Sequence, residues 1–204
     1  MIGPLLGIVG RLRDRVGRWR IARFHRMLRA RGMQIGRDVW LPASTWIDAD
    51  HCYLISIGDH CGFGEQCMLL AHDAQMDEFL DAGRLGRVRI GESCHIGART
   101  VILPGVELGP RTIVGANSVV SRSLPPDTVC AGNPATVVCT LEEYLTKHRQ
   151  RIAAVPNFQY EDYTIGALTP ARRAELVAAC EQGHAYMVGG RSAELRGAGG
   201  TPRT

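Results

Sequence analysis

The stretch from Ile90 to Pro125 reads I-G-E-S-C-H, I-G-A-R-T-V, I-L-P-G-V-E, L-G-P-R-T-I, V-G-A-N-S-V and V-S-R-S-L-P, six consecutive units of six residues. Each unit opens with an aliphatic residue, and in most units a small or medium-sized residue follows four places later. A period of six matches neither the period of a helix nor the two-residue alternation of an ordinary strand. It predicts a solenoid in which three short strands complete a coil and advance the chain by about 4.8 Å.

The repeat continues upstream of this stretch with interruptions. Further units open at Ile35, Leu41 and Ile47, and after a slip of four residues at Ile57, Phe63 and Leu69. The twelve opening positions predict about four triangular coils. The alternative is an antiparallel sandwich, whose strands would alternate cleanly between inward and outward residues with turns about every 8–12 residues. The strict register of six favours the solenoid.

The regular units carry motifs that resemble a known family. They are I-L-P-G-V at Ile102–Val106, V-G-A-N-S-V-V-S-R at Val114–Arg122 and A-G-N-P-A at Ala131–Ala135. With the register over about residues 33 to 139, they are similar to the hexapeptide-repeat acyltransferases, especially the branch that O-acetylates sugars such as maltose, galactosides and polysaccharides. The resemblance implies a mainly β fold, a left-handed parallel β-helix, whose handedness is an exception to the right-handed crossover rule.

The chain divides into four segments. We expect a basic amphipathic N-terminal helix in residues 1–32, the β-helix catalytic domain in residues 33–139 with an external loop at 72–89, a C-terminal helical extension in residues 140–190, and a disordered tail in residues 191–204. In the extension, one helix is predicted from Leu141 to about Ala153. A second helix is predicted to begin at Thr169 as N-cap, with Pro170 in its first turn.

The N-terminal helix, predicted over residues 4 to 31, is strongly basic. Nine arginines lie between Arg11 and Arg31 against one acid, and one face is apolar through Leu5, Val9, Leu12, Val16 and Trp19. Such a helix can lie on an anionic membrane surface. It can also pack against the solenoid or a partner subunit with its arginines in water, and this is the arrangement that we favour.

Composition argues against several classes of protein. The formal net charge of +4 comes mostly from the N-terminal helix, so nucleic acid is not an expected partner. The chain has no apolar run of about 18 residues and no signal-peptide pattern, so we expect a cytoplasmic protein or one at the inner face of the membrane. Of the seven cysteines, Cys61, Cys67 and Cys94 occupy the fifth place of a hexapeptide, which predicts packing rather than metal ligation or disulfide bonds.

An excursion from the repeat contains the first candidate catalytic residue. After Leu69 the next clean opening is Ile90, so about fifteen residues loop out beyond one hexapeptide, with His72 at the root of the excursion. Acetyl transfer from a thioester to a hydroxyl requires removal of the alcohol proton, and an imidazole suits this general-base role. In the sugar acetyltransferases that this segment resembles, the catalytic histidine lies at the root of such an excursion.

Two further residues are candidates for catalysis with His72. The resemblance implies that the amide of Ala98, 26 residues later, stabilises the oxyanion of the tetrahedral intermediate. Asp73 is a candidate for orienting the imidazole. Adjacent side chains of an extended segment point apart, however, so an acid from elsewhere in the chain is an equal alternative.

The resemblance also implies acetyl-CoA as cofactor, bound in the groove between adjacent subunits of a homotrimer. Ala116 would contact the pantetheine arm, Ser121 and Arg122 match the Thr-Lys pair near the nucleotide end, and Pro134 would lie against the adenine. Arginine in place of lysine keeps a positive charge for a phosphate. His95 stands where the family commonly has tryptophan beside the thioester channel, and we include it among the cofactor-binding residues. A trimer is also expected because a single prism exposes a flat face that a closed assembly can bury.

These features predict an acetyl-CoA-dependent O-acetyltransferase that modifies a sugar hydroxyl of a glycan or polysaccharide precursor. The alternatives are an N-acetyltransferase of an amino sugar nucleotide, a streptogramin-type antibiotic acetyltransferase and a non-enzymatic β-helix scaffold. No metal site is expected, because γ-class carbonic anhydrases, which share the solenoid, need an H-x-x-x-x-H pair that this sequence lacks. His51 and His60 are candidates for acceptor contacts or are solvated turn residues.

Overall fold

The computed structural model describes residues 3–163, 167–181 and 183–190. The tail expected to be disordered, residues 191–204, lies outside the described residues. Two compact units are present, residues 18–145 and residues 1–17 together with 146–204. The α-helices of the described part are α1 (Gly3–Ala30), α2 (Asp77–Leu80), α3 (Leu141–Ala154) and α4 (Pro170–Glu181). Within the described ranges, none of these helices combines the length and the apolar character needed to cross a bilayer.

The larger unit is built from very short strands. In chain order they are β1 (Gln34–Ile35), β2 (Trp46–Ile47), β3 (Ile55–Ile57), β4 (Gly62–Phe63), β5 (Met68–Leu69), β6 (His72–Asp73), β7 (Arg84–Leu85), β8 (Val88–Ile90), β9 (His95–Ile96), β10 (Val101–Ile102), β11 (Glu107–Leu108), β12 (Ile113–Val114), β13 (Val119–Val120), β14 (Thr128–Gly132) and β15 (Ala135–Thr140). Most of them join three parallel sheets, which form the faces of a β-helix. This confirms the solenoid that the six-residue period predicts.

The three faces follow one another along the chain. The first face orders β1-β3-β8-β11, the second β4-β9-β12-β14 and the third β2-β5-β10-β13. Each coil therefore crosses from the second face to the third face at one edge of the prism, which we call the 2–3 edge. It crosses from the third face to the first face of the next coil at another edge, which we call the 3–1 edge. The antiparallel strand β15 pairs with β14 and ends the second sheet.

The opening residues of the hexapeptides stack in register and fill the prism. On the third face, Leu69 pairs with Ile102, which pairs with Val120. The opening side chains from the second coil onward are 3% exposed or less, as listed here: Ile57, Phe63, Leu69, Ile90, Ile96, Ile102, Leu108, Val114 and Val120. Burial of such aliphatic side chains contributes about 1.5–3 kcal/mol each. The repeat is thus the solenoid's hydrophobic core.

The fifth position of each hexapeptide from Ile90 to Pro125 is also buried, and its polar side chains bond to backbone carbonyls. The thiols of Cys61, Cys67 and Cys94 donate to the carbonyl oxygens of the glycines one coil further on, at 3.1, 3.2 and 3.2 Å. Burial raises the pKa of the Cys67 thiol, so this group stays protonated at neutral pH. All seven cysteines are free. The prediction that these three pack inside the prism is confirmed.

Glycine at the second position lets successive coils approach closely. A Cβ on Gly91 would lie 2.6 Å from the nitrogen of Pro110, and one on Gly97 would lie 2.3 Å from the nitrogen of Ala116. Real Cβ atoms do not tolerate such distances to backbone. Two places later the turn requires a left-handed backbone, with φ between 57° and 62° at His60, Gln66, Ser93, Arg99, Arg111 and Asn117.

The smaller unit contains the rest of the C-terminal region. Strands β16 (Asn157–Gln159) and β17 (Tyr186–Val188) pair in parallel. The Tyr186 hydroxyl lies 2.8 Å from Nδ1 of His148. Thr169 caps α4, because its Oγ1 accepts a hydrogen bond of 3.2 Å from the backbone N–H of Arg172, as the sequence predicts for an N-cap.

Replacing Gly91 by alanine tests the close stacking of the coils. The added Cβ meets backbone that cannot move aside, so we expect a loss of about 1–3 kcal/mol in the free energy of unfolding. Gly83→Ala is the matched control, because its Cβ would meet its nearest neighbour, the Asp73 carbonyl oxygen, at an ordinary 3.6 Å. Urea unfolding measures both variants. Equal midpoints for the two variants would contradict the stacking argument.

Candidate active site

The two interruptions of the repeat meet on the 3–1 edge. Strands β2 and β5 are neighbours on the third face, with Ile47 paired to Leu69. Just after each strand the chain departs from the hexapeptide register. After β2 it makes a 3₁₀ turn at Cys52–Leu54, and after β5 it forms the hairpin β6–β7, which contains α2. Residues that follow the two strands therefore lie one coil apart at the same edge.

Asp48, which follows β2, is the centre of this cluster. Its carboxylate oxygen Oδ2 lies 2.5 Å from Nδ1 of His72 and accepts a 3.3 Å hydrogen bond from the amide of Ala71. Its Oδ1 lies 3.3 Å from Nδ1 of His51 and accepts a second bond of the same length from the His51 amide. Both carboxylate oxygens are therefore used, and the side chain is only 2% exposed.

Asp48 is ionised at neutral pH despite its burial. Burial by itself would raise the pKa of this carboxyl, but the hydrogen bonds from His72 and His51 outweigh it, and the net pKa lies below the ordinary 3.8. An ionised carboxylate can only accept hydrogen bonds, so each Nδ1 atom carries the proton that it shares with Asp48. In the neutral form of either ring, the Nε2 atom then carries the lone pair.

The two imidazoles stand side by side with partial access to solvent. Their ring centroids are 4.8 Å apart, and the side chains of His72 and His51 are 39% and 28% exposed. A histidine whose Nδ1–H is held by a carboxylate and whose Nε2 is accessible has the arrangement of a general base. The structure thus supports the role of His72 that the sequence suggests.

The structure corrects the choice of Asp73 as the acid that orients His72. The Asp73 carboxylate accepts hydrogen bonds from the guanidinium of Arg84, at 3.2 Å, and from the amide of Gln75, at 3.0 Å. These contacts stabilise the external hairpin. Asp48, 24 residues before His72, is the acid in contact with the imidazole. The sequence signal for it was the break of register just after Ile47, where the opening residue is followed by an acid.

The residues predicted around the thioester follow the 2–3 edge. Ala98 lies after β9 and Ala116 after β12, so the two are one coil apart, and Pro134 lies in the turn that follows β14. Within the described part of the chain, the Ala98 amide has no hydrogen-bond partner in the protein. That donor is available to a ligand. His95 lies on the second face in β9, with its side chain exposed.

Ser121 and Arg122 are at the other edge of the third face. They follow β13 and are exposed on the 3–1 edge, the same edge as His72. In one chain, His72 and Ala98 therefore lie at opposite edges of the third face and are not brought together. His60 is at the remaining edge, where its Nδ1 lies 3.3 Å from the carboxylate of Asp38.

The Asp48, His51 and His72 cluster also has the residue types of a metal site. Its three possible ligand atoms lie within 4.8 Å of one another. The 2.5 Å between His72 Nδ1 and Asp48 Oδ2 is, however, a hydrogen bond. Two ligands of a tetrahedral zinc ion with bonds of 2.0–2.1 Å would be about 3.3 Å apart. The present arrangement is that of a hydrogen-bonded base, and the expectation of no metal stays a prediction.

Known proteins are similar to this chain in sequence. The profile of the family described as bacterial transferase hexapeptide (six repeats) matches residues 87–122. YvoF of Bacillus subtilis (strain 168), named as a candidate acetyltransferase, is 32% identical over 111 residues, which are 54% of this chain and 62% of YvoF. WcaF of Escherichia coli (strain K12), named as a candidate acetyltransferase of colanic acid biosynthesis, is 32% identical over 141 residues, which are 59% of this chain and 74% of WcaF.

A solved structure is also similar. The hexapeptide-repeat acetyltransferase VCA0836 of Vibrio cholerae, described as a complex with acetyl-CoA, is 27% identical, with a TM-score of 0.49 over 54% of this chain and 61% of that protein. With the register, the solenoid and the extent of the match to WcaF, the chain belongs to the hexapeptide-repeat acyltransferase family. This confirms the resemblance drawn from the sequence.

Replacing Asp48 by asparagine tests the charge at the centre of the cluster. Because folding lowers the pKa of Asp48, its carboxylate stabilises the fold above pH 3.8, and this contribution is lost as the pH falls through the folded pKa. We expect Asp48→Asn to lower the free energy of unfolding by about 1–3 kcal/mol near pH 6, and by less at pH values below the folded pKa of Asp48.

The matched control for this substitution is Asp50→Asn, two residues further on and exposed. Urea midpoints of the wild type and both variants at the two pH values measure the difference. The control is expected to leave the midpoint unchanged. A difference between wild type and Asp48→Asn that stays the same at both pH values would show that the ionised carboxylate is not what stabilises the cluster.

Proposed function

We propose that this protein transfers the acetyl group of acetyl-CoA to a hydroxyl of a sugar, with His72 as general base. The observation that carries the proposal is the pair formed by the buried, ionised Asp48 and the partly exposed His72. This pair fixes the imidazole with Nε2 free to take a proton. A structural role for the cluster would not require an accessible base.

The chemistry follows from these positions. Nε2 of His72 takes the hydroxyl proton as the sugar oxygen bonds to the acetyl carbonyl carbon, a step worth about 10²–10⁴ in rate. Asp48 stabilises the imidazolium that forms. The carbonyl oxygen becomes an oxyanion, for which the Ala98 amide is the proposed donor. When the carbon–sulfur bond breaks, the proton held by His72 passes to the coenzyme A thiolate.

Acetyl-CoA as donor is supported by the chain's family and by residues on two edges. The relatives named above are called acetyltransferases, and the Vibrio protein was solved with acetyl-CoA. On the 2–3 edge, the small residues Ala98 and Ala116 leave backbone groups open to a thioester and its pantetheine arm. On the 3–1 edge, the exposed Arg122 offers a charge to a phosphate, with Ser121 beside it.

A homotrimer accounts for the separation of these residues. His72 and Ala98 lie at opposite edges of the third face, so a single thioester cannot meet both in one chain. If a second copy places its 2–3 edge against the 3–1 edge of the first, base and amide face the same groove. Three such contacts close a ring. The left-handed sense of the β-helix and a cytoplasmic location remain predictions from the sequence.

The acceptor class is supported by the relatives' names. WcaF is named for colanic acid biosynthesis, a polysaccharide, which favours a glycan or polysaccharide precursor as acceptor. No observation in the described part of the chain favours an amino sugar nucleotide or a streptogramin over a sugar hydroxyl. Activity assays with a panel of acceptors can distinguish these alternatives.

Replacing His72 by alanine tests the general base. We expect kcat to fall about 10²–10⁴-fold, with the KM for acetyl-CoA little changed, because the imidazole acts on the acceptor proton. Release of the coenzyme A thiol, measured over a panel of hydroxyl and amino acceptors, gives both constants. The control is His184→Ala, an exposed histidine of the smaller unit. A wild-type kcat in the His72 variant would refute the mechanism.

Replacing Arg122 by glutamate tests the phosphate contact. We expect the KM for acetyl-CoA to rise about tenfold while kcat stays close to wild type, because a charge-assisted bond is lost at a distance from the reacting atoms. Arg122→Lys, which keeps the charge, should stay near wild type. Steady-state kinetics with acetyl-CoA and with acetyl-dephospho-CoA separates the phosphate from the rest of the molecule. If the KM values for both donors rise equally in the Arg122→Glu variant, Arg122 does not bind the 3′-phosphate, the group that dephospho-CoA lacks.

A further inference from the structure

Helix α1 has one face packed on the solenoid. In residues 18–30 of α1, which belong to the larger unit, Leu28 is 1% exposed and His25 is 8% exposed, and Leu28 is part of the core of the solenoid. The His25 ring nitrogen Nε2 lies 3.2 Å from the carbonyl oxygen of Leu41. Near the end of the helix, the Arg29 guanidinium donates to the carbonyl oxygens of Ile35 and Gly36, at 2.9 and 3.2 Å. These contacts fix which side of the helix faces away.

Two large apolar side chains are exposed on the outward side of this part of α1. Trp19 is 59% exposed and Met27 is 43% exposed. At about 100° of rotation per residue, the two lie about 80° apart, and the midpoint between them is roughly opposite Leu28. Packing against the solenoid therefore does not explain why these positions are apolar. A tryptophan ring exposed in this way prefers an environment that is apolar on one side and polar on the other.

Arginines lie on both sides of these two residues and between them. Arg20, Arg23 and Arg26 are all exposed, and the guanidinium carbon of Arg23 lies 5.7 Å from the centroid of the Trp19 ring. From residue 15 to residue 37 the sequence has no acidic residue. The surface therefore combines exposed apolar side chains with arginines, and its charge is uniformly positive. We call these five residues, Trp19 and Met27 with the three arginines, the outward face.

We propose that the outward face binds the surface of an anionic lipid bilayer, with α1 lying parallel to the membrane. Tryptophan settles at the level of lipid headgroups, and arginines next to it contact their phosphates. Each arginine near an anionic membrane surface increases binding about fivefold. The core of a protein interface, in contrast, is usually depleted of charge. Packing on the solenoid and binding to a membrane then use different sides of the same helix.

This inference does not depend on the chemistry proposed for His72, because it concerns binding alone. Only its consequence rests on the proposed function. An acetyltransferase held at a membrane would meet acceptors that are presented there, which points to lipid-linked sugars as the substrate class. Vesicle binding can be measured without any acceptor, so failure of one proposal leaves the other open to its own test.

Co-sedimentation of the full chain with vesicles tests the binding. We expect the protein to bind vesicles of equimolar phosphatidylcholine and phosphatidylglycerol, to bind phosphatidylcholine alone far less, and to dissociate as salt is added. The double variant Arg20→Glu and Arg23→Glu should bind about 25-fold more weakly or worse. Trp19→Ala should also weaken binding. Equal binding to both vesicle types, or wild-type binding by these variants, would overturn the proposal.

The matched control makes the same change in net charge at two arginines outside the outward face. Arg151→Glu with Arg173→Glu alters two exposed arginines of the smaller unit, so the net charge changes equally while the outward face stays intact. Binding to the mixed vesicles should remain close to wild type. If this control loses as much binding as the α1 variant, net charge rather than the outward face is responsible, and the proposal is wrong. Because all the substituted arginines are exposed, the thermal midpoints should be unchanged.

Fluorescence locates the contact. Trp40→Phe with Trp46→Phe leaves Trp19 as the only tryptophan of the chain. Its emission should shift to the blue on addition of the mixed vesicles and not on addition of phosphatidylcholine vesicles. No shift would overturn the proposal. If light scattering shows that Trp19→Ala changes the mass of the protein in solution and the vesicles do not bind, the outward face joins copies of this chain instead.

Discussion

The close stacking of one coil on the next is the constraint on which the rest of the molecule depends. Each coil donates backbone hydrogen bonds to the coil that follows it, and the 2.3 Å that would separate a Cβ on Gly97 from the nitrogen of Ala116 leaves no room for a side chain there. The backbone therefore sets the spacing, and the side chains inside are mostly aliphatic groups, thiols and hydroxyls. Extra residues can only leave the prism at its edges.

That constraint explains how the active site is formed. The two places where the chain leaves the register follow β2 and β5, neighbouring strands of the third face, so they are stacked at one edge. Asp48 and His51 come from the excursion after β2, and His72 comes from the excursion after β5. A buried carboxylate next to two imidazoles would be costly in a regular coil, but at the edge its oxygens receive four hydrogen-bond contacts.

Much of this could be predicted from the sequence, because the period of six determines strand, corner and core together. The register placed Ile57, Ile90 and Leu108 in one column, and it placed His72 outside the coils. The partner of His72 could not be predicted as well. Asp73 is next to it in sequence but is bound by Arg84, whereas Asp48 is 24 residues away and comes close only because two coils stack. Irregular segments lack a period from which such contacts can be inferred.

The central claim is that the base on one edge and the amide on another act on the same thioester. A crystal structure of the protein with coenzyme A and an acceptor sugar tests it most directly. The account predicts an acceptor hydroxyl within about 2.6–3.2 Å of Nε2 of His72, and the thiol end of coenzyme A beside the Ala98 amide of a neighbouring copy. Coenzyme A bound away from both edges, or an acceptor that does not reach His72, would contradict it.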